Sequence, residues 1–373
     1  MKLAPELVRE LAHDEGFDIV RFGPTHPGEH ALHFERWLEA GRHGEMRWLE
    51  DWRSKLIDPA SWARSTQSAI ALAADYGGPA VGLQGGGRIA RYAAGRDYHR
   101  ALGDRVRRMR RRLEREGVPF GSIEVGTDAI PVLERALAVR AGVGFLAKSA
   151  GVISPGHGPF LLLSELLVPF ELPFDLPSPG SCGTCTRCLD ACPTGAIVAP
   201  FQVDARRCLS YTTIELRGSI PEPLREAQGE WLFGCDVCLE VCPFADSRGR
   251  AAQRDVPRPA AFAPHAVVET ATLVGIVELD EREYRERWTG TALRRATRSG
   301  LRRNAAVVLG NLGDDSALPA LRRGLRDPDA IVREHCAWAI GRIAPRDPEL
   351  DSALTGETDP AVIAAIRDAL ARR

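Results

Sequence analysis

Apolar and charged residues alternate at helical spacing along PELVRELAHDEGF (5–17), and the same period runs through DYHRALGDRVRRMRRRLERE (97–116). In the second stretch Val106, Met109 and Leu113 share one face of a basic run, Arg105 to Arg115, that Glu114 interrupts. This predicts an amphipathic helix with a wet side. Short runs of strand character, SAIALAADY (68–76) and GVISPGHGPFLLL (151–163), lie among these stretches. Together they predict an α+β region over the first 180 or so residues. From about residue 291 the pattern becomes helical and repetitive: RRNAAVVLGNLG (302–313) recurs in register as REHCAWAIGRIA (333–344), and DPDAIV (327–332) is echoed by DPAVIA (359–364). A period of about thirty-one residues is short for a HEAT-type helical pair but within that style of repeat. The cap-like Asp-Pro pairs, with Gly310 and Gly341, read as helix-turn-helix punctuation.

At 373 residues and 44% hydrophobic, the chain has enough apolar material for a full core in two or three domains. The N-terminal stretch lacks the apolar core of a signal peptide, and the longest apolar runs, such as FLLL at 160–163, fall far short of a bilayer span of roughly 20 residues. A cytoplasmic, non-membrane protein is expected. The formal charge of -1 averages away local arginine clusters, so charge must be read segment by segment.

Eight of the nine cysteines lie between Cys182 and Cys242. The first set is Cys182-x2-Cys185-x2-Cys188-x3-Cys192-Pro193; the second is Cys208, then Cys235-x2-Cys238-x3-Cys242-Pro243. The first spacing is that of bacterial ferredoxins, in which three thiolates hold one 4Fe–4S cluster and the fourth ligates another. That crossed logic assigns Cys182, Cys185, Cys188 and Cys242 to one cluster, and Cys192, Cys208, Cys235 and Cys238 to a second. Zinc favours paired CxxC knuckles over runs ending in CxxxCP, and a disulfide framework fits poorly in a chain without an export signal. Cys336, beside Trp338 and Ala339, is expected to pack in a helix core.

Two clusters form a wire, and the N-terminal region is the expected recipient of the electron. RIARYAAGRDYH (88–99), TDAIPVLERALAVRAGVGFLAKS (127–149), CGTCTRCLDACPTGAI (182–197), RCLSYTTIELRG (207–218) and GCDVCLEVCP (234–243) together resemble the epoxyqueuosine reductase family, and the likeness runs from about residue 5 to the C-terminus. The resemblance implies a cobalamin-binding catalytic domain over 1–175, a ferredoxin-like two-cluster domain over 176–250, and a linker with HEAT-like, tRNA-binding repeats over 251–373. It also implies a monomer that reduces epoxyqueuosine to queuosine at the tRNA wobble position, with electrons from an external donor. The resemblance further implies cobalamin bound base-off by shape and backbone contacts; the chain carries no DxHxxG motif that would supply a lower-ligand histidine. The cofactor contacts implied are Lys55, where an arginine is more usual, Ala90, Asp128, Val152, Leu163, Ser210 and Asp236. Further departures are Ala129 for threonine, Ser149 for asparagine, and Pro159 within a usual Gly-Ser-aromatic stretch.

Reductive opening of an epoxide to an alkene takes two electrons and two protons, and the oxygen departs more easily if protonated as the bond breaks. The resemblance places Asp128 at the proton-donor position. Its apolar neighbours Ala129-Ile130-Pro131 lead one to expect burial and a raised pKa. The competing expectation is a helix N-cap, since Pro131 and Glu134 follow closely.

In LRRATRSGLRRN, the residues Arg294, Arg295, Arg298, Arg302 and Arg303 cluster within ten positions, a density suited to phosphate contacts, although such runs are commonly solvated helix faces. The resemblance adds Arg217, in the loop flanking Cys208, as a tRNA contact. The alternatives are a reductive dehalogenase-like corrinoid reductase of a small molecule, which leaves the repeats unexplained, and an electron carrier on a helical scaffold, which leaves the first 180 or so residues unexplained.

Overall fold

The run SAIALAAD is buried at seven successive positions, because both faces of its strand are covered and no polar alternation is needed. In the computed structural model, which describes residues 3–246 and 262–372, this is β2 (Ser68–Asp75). It lies in a four-stranded antiparallel sheet with β1 (Ile19–Gly23), β3 (Glu124–Gly126) and β4 (Leu161–Val168), in the order β1-β2-β4-β3. Glu165 on β4 stands opposite Ala71 on one side and Gly126 on the other.

The two amphipathic stretches form α1 (Pro5–Asp14) and α2 (Tyr98–Arg115). Val106, Met109 and Leu113 are buried, while Arg108 and Arg112 on the wet side pair with Glu15 and Asp14. Helix α3 (Glu134–Ala141) packs through Leu137, Ala138 and Ala141 on the sheet face that carries Ala69, Ala71, Ala73 and Leu167. Alternation along β4 puts Glu165 on that same face. The stretch 151–163 is not one strand: Val152–Ile153 pairs with Phe145–Leu146, a bend closed between Ser154 and Gly158 intervenes, and β4 begins at Leu161.

The chain divides into two compact units, each assembled from three segments. The first holds Met1–Pro79, Asp97–Arg206 and Val237–Phe262; the second holds Ala80–Arg96, Arg207–Asp236 and Ala263–Arg373. The expected boundary at 250/251 lies outside the described residues.

The second unit contains a small sheet of Val81–Gly82, Arg88–Ile89 and Trp231–Phe233, followed by α4 (Thr297–Leu312), α5 (Leu318–Gly324), α6 (Ala330–Ile343), α7 (Pro348–Leu354) and α8 (Pro360–Ala371). Asp329 caps α6 and Asp359 caps α8 by accepting backbone N–H groups of the first turn, so in the earlier repeat the cap is the residue immediately after the expected Asp-Pro pair. Gly310 and Gly341 are mid-helix contact points rather than turn residues. A Cβ at Gly341 would lie 2.4 Å from that of Ala369, so glycine permits α6 and α8 to cross closely. Cys336 is fully buried, as expected, and burial pushes its thiol up to about 12.

Candidate active site and cluster-binding segment

Strand β3 ends at Gly126, where an added Cβ would lie 2.5 Å from Ile130; the chain folds back on itself at once. Asp128, in this turn, takes φ +53, a left-handed conformation that aspartate adopts more readily than most residues. Helix α3 starts only at Glu134, after Leu133, so Asp128 is not its cap. Nor is it buried: its side chain is 54% exposed, in a stretch where Ala129 is exposed as well and Ile130 and Pro131 are only half-buried.

Three groups define its chemistry. The Tyr98 hydroxyl donates to Asp128 Oδ2 at 2.5 Å, and His99 Nε2 lies 3.5 Å from the same oxygen. His99 Nδ1 is 2.8 Å from Asp97 Oδ1. Desolvation pushes the Asp128 carboxyl up, but the His99 and Tyr98 hydrogen bonds outweigh it and hold the group below its ordinary value. This corrects the expectation of an acid kept protonated by burial. For His99, desolvation pulls down, while its bonds to Asp128 and Asp97 prevail and raise it to about 9. Sequence reasoning included Tyr98 and His99 in a motif but gave them no role; the Tyr-His pair opening an amphipathic helix was the available signal.

Within the first unit, Cys182 and Cys242 pack against the same apolar group, Phe145, Ala147, Ile153 and Phe244. Cys188 and Cys242 both lie in the field of Cys182 and Cys185, which adds to burial in pushing their thiols up. The structure thus brings together the four thiols of the first predicted set, one of them from the distant second motif. Lys148 braces this loop, its backbone N–H directed to Cys182 Sγ at 3.4 Å and its Nζ to the carbonyls of Gly183 and Cys185 at 2.8 and 2.9 Å. Sequence reasoning gave Lys148 no role. Cys192 accepts the Ala196 N–H at 3.2 Å. Cys192 and Cys238 belong to the first unit, Cys208 and Cys235 to the second. All eight are half-buried, and none is in a disulfide.

Of the expected corrinoid contacts, Val152 and Leu163 share one apolar cluster in the first unit with Ala71, Ala73 and Ala138. Lys55 is exposed on the short helix Arg53–Ile57. In the second unit Ala90 is buried, Ser210 is half-buried, and the buried Asp236 carboxylate accepts the Arg91 N–H at 2.8 Å. Apolar side chains with a few hydrogen-bonding groups are the kind of set that a macrocycle with amide arms would need.

The arginines divide. Arg302 is 7% exposed, pairs with Asp327 and donates to the Val277 carbonyl at 2.6 Å. Arg303 is 1% exposed and donates to the carbonyls of Thr212, Leu216 and Gly218 at 2.6, 2.9 and 2.6 Å. Both are internal struts, because α4 is packed on all sides from Gly300 to Gly310. Arg294, Arg295 and Arg217 are at the surface and Arg298 is half-buried: Arg294 lies over the Tyr284 ring, Arg295 grips Glu215, Arg298 donates to the Leu279 carbonyl and Arg217 to that of Ile214.

Residues 181–245 match the family described as a 4Fe-4S double cluster binding domain, and residues 288–371 match HEAT repeats. The cysteine segment, joined to an α+β domain with an acid–imidazole site, defines the class as an iron–sulfur oxidoreductase. Residues 57–129 match the family described as epoxyqueuosine reductase QueG, DUF1730. The epoxyqueuosine reductase of Xanthomonas campestris is 38% identical over 343 residues, covering 90% of this chain and 95% of its own. A solved epoxyqueuosine reductase from Streptococcus thermophilus aligns with a TM-score of 0.85 at 25% identity, over 99% of both chains. One solved with an epoxyqueuosine-modified tRNA-Tyr stem loop aligns at 0.83 and 28%, over 98% of this chain and 97% of its own. The chain belongs to the epoxyqueuosine reductase family. Among the described residues no helix is long and apolar enough to cross a membrane.

Proposed function

We propose that this protein reduces epoxyqueuosine to queuosine in tRNA, as a cytoplasmic monomer supplied by an external electron donor. The reaction consumes two electrons and two protons: both carbon–oxygen bonds of the epoxide break, an alkene forms and the oxygen leaves as water. Cys182, Cys185, Cys188 and Cys242 hold one 4Fe–4S cluster, and Cys192, Cys208, Cys235 and Cys238 the other. Lys55, Ala90, Asp128, Val152, Leu163, Ser210 and Asp236 would hold a base-off cobalamin, which would supply low-potential redox chemistry there. In functional terms the chain divides into a catalytic part (1–175), a cluster-bearing part (176–250) and a tRNA-binding part (251–373).

The observation that carries the mechanism is the Asp128 turn. Its carboxylate is exposed and hydrogen-bonded to an imidazole that is charged at neutral pH. The Asp128–His99 pair therefore carries one proton at neutral pH, which moves through Asp128 to the departing oxygen only as negative charge develops there, and Tyr98 fixes the carboxylate orientation. Arg217, Arg294, Arg295 and Arg298 contact the tRNA phosphates. This reading accounts for the repeats as well as the clusters, which a small-molecule reductase does not.

The test is an anaerobic assay of reconstituted protein with epoxyqueuosine-bearing tRNA, followed by nucleoside mass spectrometry. Queuosine should accumulate. Reduction of a small organohalide, with no queuosine formed by protein holding both clusters and cobalamin, would replace this reading with the dehalogenase-like one.

A further inference from the structure

Behind the Asp128 turn lies a second pair of carboxyl groups that the proposed chemistry does not use. Glu165, mid-strand on β4, is 0% exposed, and among the described residues no donor reaches either of its carboxylate oxygens. A carboxylate in that position would carry a large desolvation cost with nothing to offset it. Its partner is the carboxyl group of Glu134, the first residue of α3, which packs on the same sheet face. Glu134 Oε1 in turn accepts the backbone N–H of Asp128 at 2.5 Å.

We propose that Glu165 and Glu134 form a carboxylic acid relay that positions the catalytic turn: neutral Glu165 donates its proton to a hydrogen bond with Glu134, and Glu134 holds the Asp128 amide. The proposal rests on the reading of Asp128 as proton donor. A fully buried carboxyl group does not ionise beside a second, half-buried one, and a retained proton supplies the donor that Glu165 otherwise lacks. In agreement, burial and the neighbouring Asp128 charge raise Glu134 to about 8; burial and the Glu134 charge raise Glu165 well above its ordinary value. The relay also explains how Asp128 persists in a left-handed conformation, which a non-glycine residue keeps only where its surroundings over-determine it. Above the turn the Tyr98 hydroxyl and His99 imidazole take the side chain, and below it Glu134 takes the main chain.

Glu165→Leu is the informative variant, because replacing a buried ionisable group by an apolar one of similar volume commonly leaves stability unchanged or raised. Turnover should fall on the order of 10²-fold, as expected for a misplaced catalytic group. KM for tRNA, thermal midpoint and cluster content should hold. Glu165→Gln retains a donor and should recover most of the lost rate. Independently of activity, the His99 pKa in Glu165→Leu, followed by NMR, should drop from about 9 toward its ordinary value as Asp128 drifts away. Unchanged turnover and an unchanged His99 pKa in Glu165→Leu would overturn the relay while leaving the Asp128 reading intact. Full turnover in Asp128→Asn, with the His99 shift still present in Glu165→Leu, would overturn the Asp128 reading and retain the relay.

Discussion

The Asp128 turn and the first helix of the repeats invert each other. Asp128 is followed by three apolar residues, which points to a buried acid, yet it is half exposed and its carboxyl is depressed by a charged imidazole. Arg302 and Arg303 sit in a run of five arginines, which points to a wet face, yet both are inside the protein with their donors matched to carbonyls and Asp327. Burial is therefore decided by backbone direction and by how many sides of an element are packed, not by the company a residue keeps along the chain. A turn at the surface leaves apolar and acidic residues alike outside the core. A helix packed all round has no wet face to give.

The inversion is tested most severely at Asp128. Asp128→Asn keeps the size and the hydrogen bonds but cannot donate a proton, so turnover should fall about 10²–10⁴-fold with cluster and cobalamin content unchanged; single-turnover kinetics on modified tRNA would show it. Next in size, Arg302→Ala strands the buried Asp327 and should cost about 3–5 kcal/mol in denaturant unfolding. If it instead weakened tRNA binding without loss of stability, the distinction between strut and surface would be wrong. Arg294→Ala or Arg217→Ala should leave stability alone and flatten the salt dependence of tRNA affinity, by about one unit of slope for each phosphate no longer neutralised. The smallest effect concerns the charge on the imidazole. His99 holds its proton more tightly folded than unfolded, so its contribution to stability is full below its ordinary pKa near 6.5 and fades as pH rises through about 9. Asp128→Asn should lower that upper limit, read by imidazole NMR.

Much of the fold was legible because it rests on local periodicity: the apolar faces of α1 and α2, the continuous burial of β2 and the repeated helices all follow from spacing. The eight thiols were legible because ligand geometry fixes their intervals. What escaped depends on encounters between distant segments. Tyr98 and His99 meet Asp128 across about thirty residues, and Glu165 meets Glu134 only because β4 and α3 share a sheet face. Gly310 and Gly341 read as turn signals because a glycine that allows helices to cross and a glycine that ends one are the same letter. Arg303 was misread for a related reason: its carbonyl partners Thr212, Leu216 and Gly218 lie some ninety residues upstream, within the very motif that carries Cys208.

Lys148 gives the cluster-binding loop a further property. A cubane ligated by four thiolates carries net negative charge that grows when an electron is added, so a nearby cation and an N–H donor to sulfur both favour the reduced state. With its amide directed at Cys182 and its ammonium against the carbonyls of Gly183 and Cys185, Lys148 supplies both. Both would favour the reduced state of a cluster held by Cys182, Cys185, Cys188 and Cys242.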